Sequence, residues 1–171
     1  MQVQPAETDD AGGIAAVHVK SWQEAYRDLL PQDFLDGLDP GYRGAMWARI
    51  LSNPGQRDRT VVVKDAGKVV GFANVCPSRD DDATAATVGE LTSIYLLSSV
   101  WGQGVGRQLM TAAVSALVED GFSEATLWVL EGNSRARRFY EAVGWHADGS
   151  VKEEPIGGVT IHELRYRRAL P

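Results

Sequence analysis

A single cysteine in 171 residues, Cys76, excludes an internal disulfide and suits a reducing compartment. It ends the apolar run Val69 to Val75, which reads as a buried, inert thiol rather than a nucleophile. Three histidines, His18, His146 and His162, show no metal-ligand spacing, so no metal is expected. No apolar run approaches the roughly 20 residues of a membrane span, and no basic-then-apolar leader opens the chain. Positive charge is scarce: 17 Lys and Arg against 23 Asp and Glu leave a net charge of −6. That balance argues against non-specific nucleic-acid binding and leaves a cationic ligand attracted. These absences point to a cytoplasmic protein with neither a nucleic-acid nor a membrane partner. Internal repeats, low-complexity tracts and a serine or cysteine in a nucleophile elbow are also missing.

What is present is concentrated in residues 90–107. Glu90 to Leu97 reads as an apolar strand, and the chain then turns into three alternating glycines, Gly102, Gly104 and Gly106. Helical residues follow from Gln108. A glycine loop between a strand and a helix start suits an anion, because backbone N–H groups approach it closely and the helix start adds unpaired donors. The dinucleotide fingerprint does not fit, since Arg107 stands where its third glycine belongs, and no Gly-Lys-Ser/Thr marks a triphosphate loop. The other reading is a tight turn whose glycines serve only packing. Further on, Ala125 to Leu130 reads as a second buried strand. After it Asn133 is placed to cap a helix carrying Ala136, Phe139, Tyr140 and Val143, with Gly144 at its C-terminal stop.

Around these segments the chain reads as one domain over residues 1–171, long enough to bury a sizeable core. Val3 to Pro5 is a short opening strand. Thr8 or Asp9 caps a helix with Ile14, Val17, His18, Trp22 and Tyr26 on or near one face. Pro31 to Leu38 forms a second short helix, Pro40-Gly41 breaks the chain, and Tyr42 to Leu51 is helical again. Thr60 to Lys64 and Lys68 to Val75 form a hairpin, and Ser78 to Thr87 a polar, mobile loop with three consecutive aspartates. His146 to Val151 and Val159 to Arg165 close the chain as strands. This order predicts a mixed α/β layer.

Residues 88–145 resemble the two signature segments of the GNAT superfamily of N-acetyltransferases. Glu90, Tyr95, Gly102, Gly104 and Gly106 match the acetyl-CoA-binding strand, loop and helix. Asn133, Ala136, Phe139, Tyr140 and Gly144 match the helix that follows. The resemblance implies a mixed, mostly antiparallel sheet, splayed in the middle and flanked by helices on both faces, with acetyl-CoA as cosubstrate. It further implies that the backbone of Ile94, Tyr95 and Leu96 pairs with the pantetheine arm and that the loop from Gly102 through Gln103, Gly104, Val105 and Gly106 to Arg107 holds the pyrophosphate. Asn133, Ala136 and Tyr140 complete the cofactor site by the same resemblance. One departure is Trp101, where the family places Arg or Gln. Arg107 reads equally as a solvated helix residue.

Acetyl transfer to an amine needs a proton removed, because an ammonium of pKa about 10 has no lone pair. The departing thiolate, of parent pKa about 8.5, leaves more easily when protonated. By resemblance Tyr140 is the general acid, against the plain reading of a packed aromatic. A carboxylate in an apolar strand must reach water or pair with a cation, and by resemblance Glu90 is the candidate base; the plain reading is a carboxylate that only orders structure. By resemblance the segment joining the first two helices lines the acceptor site, which nominates Trp22, Glu24, Tyr26 and Leu30; aromatics beside carboxylates suit a cationic amine. Against this stands a core-facing stripe with a solvated acidic face. The expected function is acetylation of a primary amine on a small molecule. The alternatives are a protein or peptide acceptor and a non-catalytic CoA-binding regulator. Family members often dimerise, and the terminal strands could serve a homodimer.

Overall fold

The computed structural model describes residues 1–171. Seven strands and five helices follow one another along it: β1 (Gln2–Pro5), α1 (Ala11–Ala25), α2 (Gln32–Asp36), α3 (Pro40–Ser52), β2 (Arg59–Asp65), β3 (Lys68–Pro77), β4 (Val88–Leu96), α4 (Val105–Glu119), β5 (Glu124–Leu130), α5 (Ser134–Ala142), β6 (His146–Ile156) and β7 (Val159–Ala169). One sheet takes all the strands in the order β1-β2-β3-β4-β5-β7-β6. Every neighbouring pair is antiparallel except β4 and β5.

The β4–β5 pair positions the site. Its parallel ladder covers only Val88, Gly89 and Glu90 opposite Glu124, Ala125 and Thr126. Beyond Glu90 the strands part, and the β5-side edge of β4 runs on to Leu96 without a strand beside it. A bulge sits where they part: Asn74 pairs with Ser93 and Val75 with Leu91, leaving Thr92 over. Thr92 Oγ1 donates to the Asn74 carbonyl at 3.2 Å. An extra residue bends its strand and sharpens the local twist, which carries β4 away from β5.

Alternation along the strands gives each face its own core. On one face α4 lays Leu109, Met110 and Leu117 against Leu91, Ala125 and Leu127, and α5 joins through Tyr140. On the other, Ile14 and Val17 of α1 and Trp47 of α3 pack on Val62 and Phe72. A smaller cluster of Leu30, Leu35, Leu130 and Ile161 seats the α1–α2 segment over the open end of β5.

The mixed, mostly antiparallel, splayed sheet with helices on both faces is as expected; the differences are local. α4 begins at Val105 rather than Gln108, because Gly104 takes φ 79° and turns the chain straight into helix. Pro40 starts α3 instead of breaking the chain, with Asp39 Oδ1 accepting from Gly41 N at 2.8 Å. Ahead of α1, Glu7 N donates to Asp10 Oδ2 at 3.0 Å across a single tight turn, so the cap lies before Thr8. The hairpin β6–β7 runs on to Ile156 and Ala169, since β6 is an edge strand that tolerates Pro155 and Gly157-Gly158 supplies a positive-φ turn. The segment from Ser78 to Thr87 is pinned rather than free. Arg57 donates to the Ala85 and Ala86 carbonyls, Asp80 accepts from Trp128 Nε1 at 2.9 Å, and Asp82 pairs with the buried Arg165 at 2.6 Å. Asp80 and Asp82 are counter-charge to a guanidinium distant in sequence. No helix is long and apolar enough to cross a membrane.

Candidate active site

The glycine loop is shaped by two left-handed residues, Gly102 at φ 75° and Gly104 at φ 79°. Both face open space, so a Cβ at either would meet nothing in the protein. No intramolecular hydrogen bond uses the N–H groups of Gln103, Gly104, Val105 and Gly106. These donors converge at the start of a 15-residue helix, an arrangement that suits an anion. Gly106 lies within α4, where a Cβ would stand 3.5 Å from the Phe139 ring, so α4 and α5 approach closely. Trp101 Nε1 donates to the Leu96 carbonyl at 3.0 Å, and the Arg135 guanidinium stacks 3.3 Å from the Trp101 ring centroid. The aromatic departure at this position therefore recruits a cation from the first turn of α5. Sequence reasoning missed Arg135, whose contact with Trp101 is created by folding. Arg107 sits exposed in the first turn of α4.

Across the gap between β4 and β5, Asn133 caps α5, its Oδ1 accepting from Ala136 N at 3.1 Å. Tyr140 is 8% exposed and packs between Phe139 and Tyr166. Burial, reinforced by Tyr95, holds its hydroxyl well above the usual phenol range, so it stays protonated. Tyr26, which caps the C-terminus of α1, is raised likewise by burial and then by Tyr95, Tyr140 and Glu163. Burial also dominates at Tyr95, on which Glu163 acts in the same direction. Three phenols from the end of α1, β4 and α5 thus meet within electrostatic reach of one another, and the Glu163 carboxylate of β7 acts on two of them. Glu163 itself is pushed up by burial, although Lys152 Nζ pairs with it at 3.2 Å.

Glu90 lies elsewhere in the cleft, at the point where the strands part. Its Oε2 accepts from Arg79 N and Nε, both at 3.1 Å, and its Oε1 from Arg79 Nη2 at 2.7 Å. Both oxygens of the expected base are therefore occupied by one guanidinium, whose side chain is 68% exposed. Glu163 was missed by sequence reasoning, yet it carried the same signal as Glu90. It stands between Ile161 and Arg165 on the inward face of an alternating strand.

Among the acceptor-side residues, Trp22 and Tyr26 meet edge to face at 5.1 Å, with His18 5.8 Å from Trp22. Trp22 Nε1 and Glu24 Oε2 are both out of solvent and without a hydrogen-bond partner. Leu30 is buried in the cluster over β5, so it shapes the wall from beneath. His18 and Arg43, also beside Trp22, were not singled out as site residues.

Comparison with known proteins agrees with this geometry. The model of the Acetyltransferase (GNAT) family matches residues 19–145. An uncharacterized N-acetyltransferase of Bacillus subtilis, YuaI, is 33% identical over 165 residues, covering 95% of this chain and 89% of that protein. A ribosomal protein bS18-alanine N-acetyltransferase of Haemophilus ducreyi is 25% identical over 122 residues, 69% of this chain and 79% of its own length. The structure of yncA from Salmonella typhimurium, a putative acetyltransferase solved with acetyl-CoA, superposes with a TM-score of 0.75 at 17% identity, over 100% of this chain and 94% of that one. The glycine loop, the parted strands and the helix bearing Tyr140 all fall within the matched span, and the chain belongs to the GNAT family of acetyltransferases.

Proposed function

We propose that the protein transfers an acetyl group from acetyl-CoA directly to the primary amine of a small molecule. The observation that carries this reading is the continuity of the site. Unpartnered loop amides at Gln103 to Gly106 open onto the unpaired edge of β4, which leads to three phenols and a carboxylate. Acetyl-CoA fits these residues. The loop amides and the space over Gly102 and Gly104 suit its pyrophosphate, and the free edge at Ile94, Tyr95 and Leu96 suits an amide-bearing arm. Asn133 and Ala136 lie at the start of α5 and Arg107 in the first turn of α4, beside the same cradle. Bound there, acetyl-CoA supplies an activated acyl group.

The side chains divide the remaining work. Tyr140, protonated and buried, gives a proton to the departing sulfur. Glu163 attracts the acceptor ammonium and takes its proton, because its charge acts on Tyr26 and Tyr95 of the phenol cluster. Glu90 anchors Arg79 in this reading. A second assignment makes Glu90 the base through a water once the exposed Arg79 swings away; its place at the parting of β4 and β5 favours that route. Trp22 and Tyr26 offer ring faces to the cation, and Glu24 adds negative charge.

A small acceptor is favoured by how tightly the α1–α2 segment closes over the sheet. A Cβ at Gly132 would come within 2.6 Å of Leu29, and one at Gly157 within 2.7 Å of Phe34. A peptide acceptor is the second reading, favoured by the Haemophilus ducreyi relative named for an alanine of a ribosomal protein. The test is CoA release from acetyl-CoA across amines and peptides, with Tyr140→Phe alongside. Turnover of that variant should fall by about tenfold or more with acetyl-CoA affinity kept, and unchanged turnover refutes the acid role. Comparing pH–rate profiles of Glu163→Gln and Glu90→Gln decides the base, since only the true base removes the acidic limb.

A further inference from the structure

His18 is held in a contact that its own chemistry does not satisfy. Trp47 Nε1 donates to its Nδ1 at 3.2 Å, while Arg43 Nη1 stands 3.3 Å from its Nε2. The ring is 6% exposed, stacked on Tyr95 at 5.1 Å and edge-on to Trp22 and Phe72. Burial, then the charge of Arg43, lowers its pKa to about 3, so the imidazole is neutral. A neutral imidazole has one N–H and one lone pair, whereas indole and guanidinium nitrogens only donate. Two donors therefore face a ring that can accept from one.

Burial decides between them. Trp47 is 3% exposed and its indole donates to nothing else, while Arg43 is half-buried on the first turn of α3. The indole takes Nδ1, the proton resides on Nε2, and that N–H points at a guanidinium. A buried donor without an acceptor is unfavourable. Arg43 has no counter-charge either, since it takes part in no ion pair and its one side-chain contact of hydrogen-bond length is His18. It lies 5.1 Å from the centroid of Trp22, which keeps it over the acceptor cleft.

We propose that His18 and Arg43 form an oxyanion-binding end of the acceptor site, and that the acceptor is an amine which also carries a carboxylate. With the guanidinium swung slightly outward, one carboxylate oxygen accepts from His18 Nε2–H and from Arg43, and the other takes a second guanidinium N–H. Tyr95 joins the two ends of the cleft. It stacks on His18 on one side, and its hydroxyl lies with Tyr26 and within reach of Glu163 on the other. The acceptor's carboxylate then lies at the cationic end and its ammonium toward the anionic end. This assignment rests on the acetyltransferase reading above for the identity of the ligand, but not for the existence of the donor pair.

The test uses protein labelled with ¹⁵N-histidine, saturated with CoA, and observed in long-range ¹H–¹⁵N spectra. α- and ω-amino acids are added, each against its own carboxamide. His18 should show the Nε2–H form of the neutral ring, and its Nε2 resonance should move with acids and not with carboxamides. Arg43→Gln should weaken that binding by about tenfold or more, the loss of a charge-assisted hydrogen bond, and Arg43→Lys should recover part of it. Equal response to the carboxamides, no response to any acid, or the Nδ1–H form overturns the proposal. CoA release measured on the same compounds separates it from the reading it rests on. Carboxamides acetylated as well as acids keep the enzyme and refute the carboxylate site. Acids that move His18 and are never acetylated keep the site and refute the acetyltransferase assignment for them.

Discussion

Holding His18 neutral has a thermodynamic consequence that a titration can read. The ring is buried beside a guanidinium, which places its folded pKa at about 3 against 6.5 for an unperturbed histidine. Between those values the unfolded chain binds a proton that the folded chain refuses, so stability rises with pH across that window and is lost as pH falls through it. Each pKa unit corresponds to about 1.4 kcal/mol, so the whole window amounts to about 5 kcal/mol. Between pH 7.5 and 5 the loss from this one group is about 2 kcal/mol, a large share of a stability that for single domains is about 5–15 kcal/mol. Urea denaturation at the two pH values, for the wild type and for His18→Gln, isolates it. The glutamine carbonyl can accept from the Trp47 indole but cannot titrate. With a slope of about 2 kcal/mol per molar urea, the wild-type midpoint should drop by about 1 M more than the variant's on going to pH 5. Every other ionisable group is common to both proteins and cancels. Identical shifts would show that His18 protonates freely in the fold, and the argument about its lone pair would fail with it.

Two further outcomes follow from the geometry of loop and network. Gly104→Val forces a β-branched residue into φ 79° and fills the space over the loop amides; acetyl-CoA affinity by calorimetry should fall by about tenfold or more, and normal binding would refute the loop assignment. Arg165→Met removes the partner shared by Asp80, Asp82 and Asp148. Stranding those carboxylates should cost about 3–5 kcal/mol in urea and raise hydrogen exchange across residues 78–87, whereas unchanged exchange would mean that the network does not pin the loop.

The parts of the fold legible in the sequence were those written in local chemistry. Gly102, Gly104 and Gly106 between a strand and a helix, and Asn133 ahead of Ala136 and Tyr140, announce a turn and a cap through residue types that serve those conformations. Boundaries failed where two local signals conflicted. Pro40-Gly41 reads as a break, yet proline is well suited to a helix's first turn, and Asp39 supplies the cap. The closing strand reads as ending at Val151, yet β6 runs on through Pro155, because an edge strand has no use for proline's missing N–H on the solvent side. Contacts made by remote pairs left no local trace. Asp80 and Asp82 look like part of a solvated loop until β7 brings Arg165 beneath them, and Trp101 looks like a defect in the phosphate loop until α5 lays Arg135 on its ring. Glu163 was legible in principle, being a carboxylate on the inward face of an amphipathic strand, but no motif surrounds it to draw attention.

The location of the site follows from one break in the sheet. Had β5 followed β4 to Leu96, the β4 edge would have been closed by a ladder and Tyr95 flanked on both sides by strands. The leftover Thr92 turns β4 away at the point where the ladder ends, and three elements then supply what the missing ladder would have excluded. From one side α5 brings Tyr140 and the capping Asn133; from the other α1 and its C-cap bring His18, Trp22 and Tyr26. From the far strand β7 brings Glu163. Glu90 marks the last paired residue, and there a buried carboxylate needs a cation, which Arg79 provides. Buried polar groups short of partners include Thr126 Oγ1 and Trp145 Nε1 elsewhere in the fold, but Trp22 Nε1, Glu24 Oε2 and the His18–Arg43 donor pair lie on the acceptor side. A domain interior normally satisfies such groups. Those on the acceptor side are what a site built to receive a polar ligand requires.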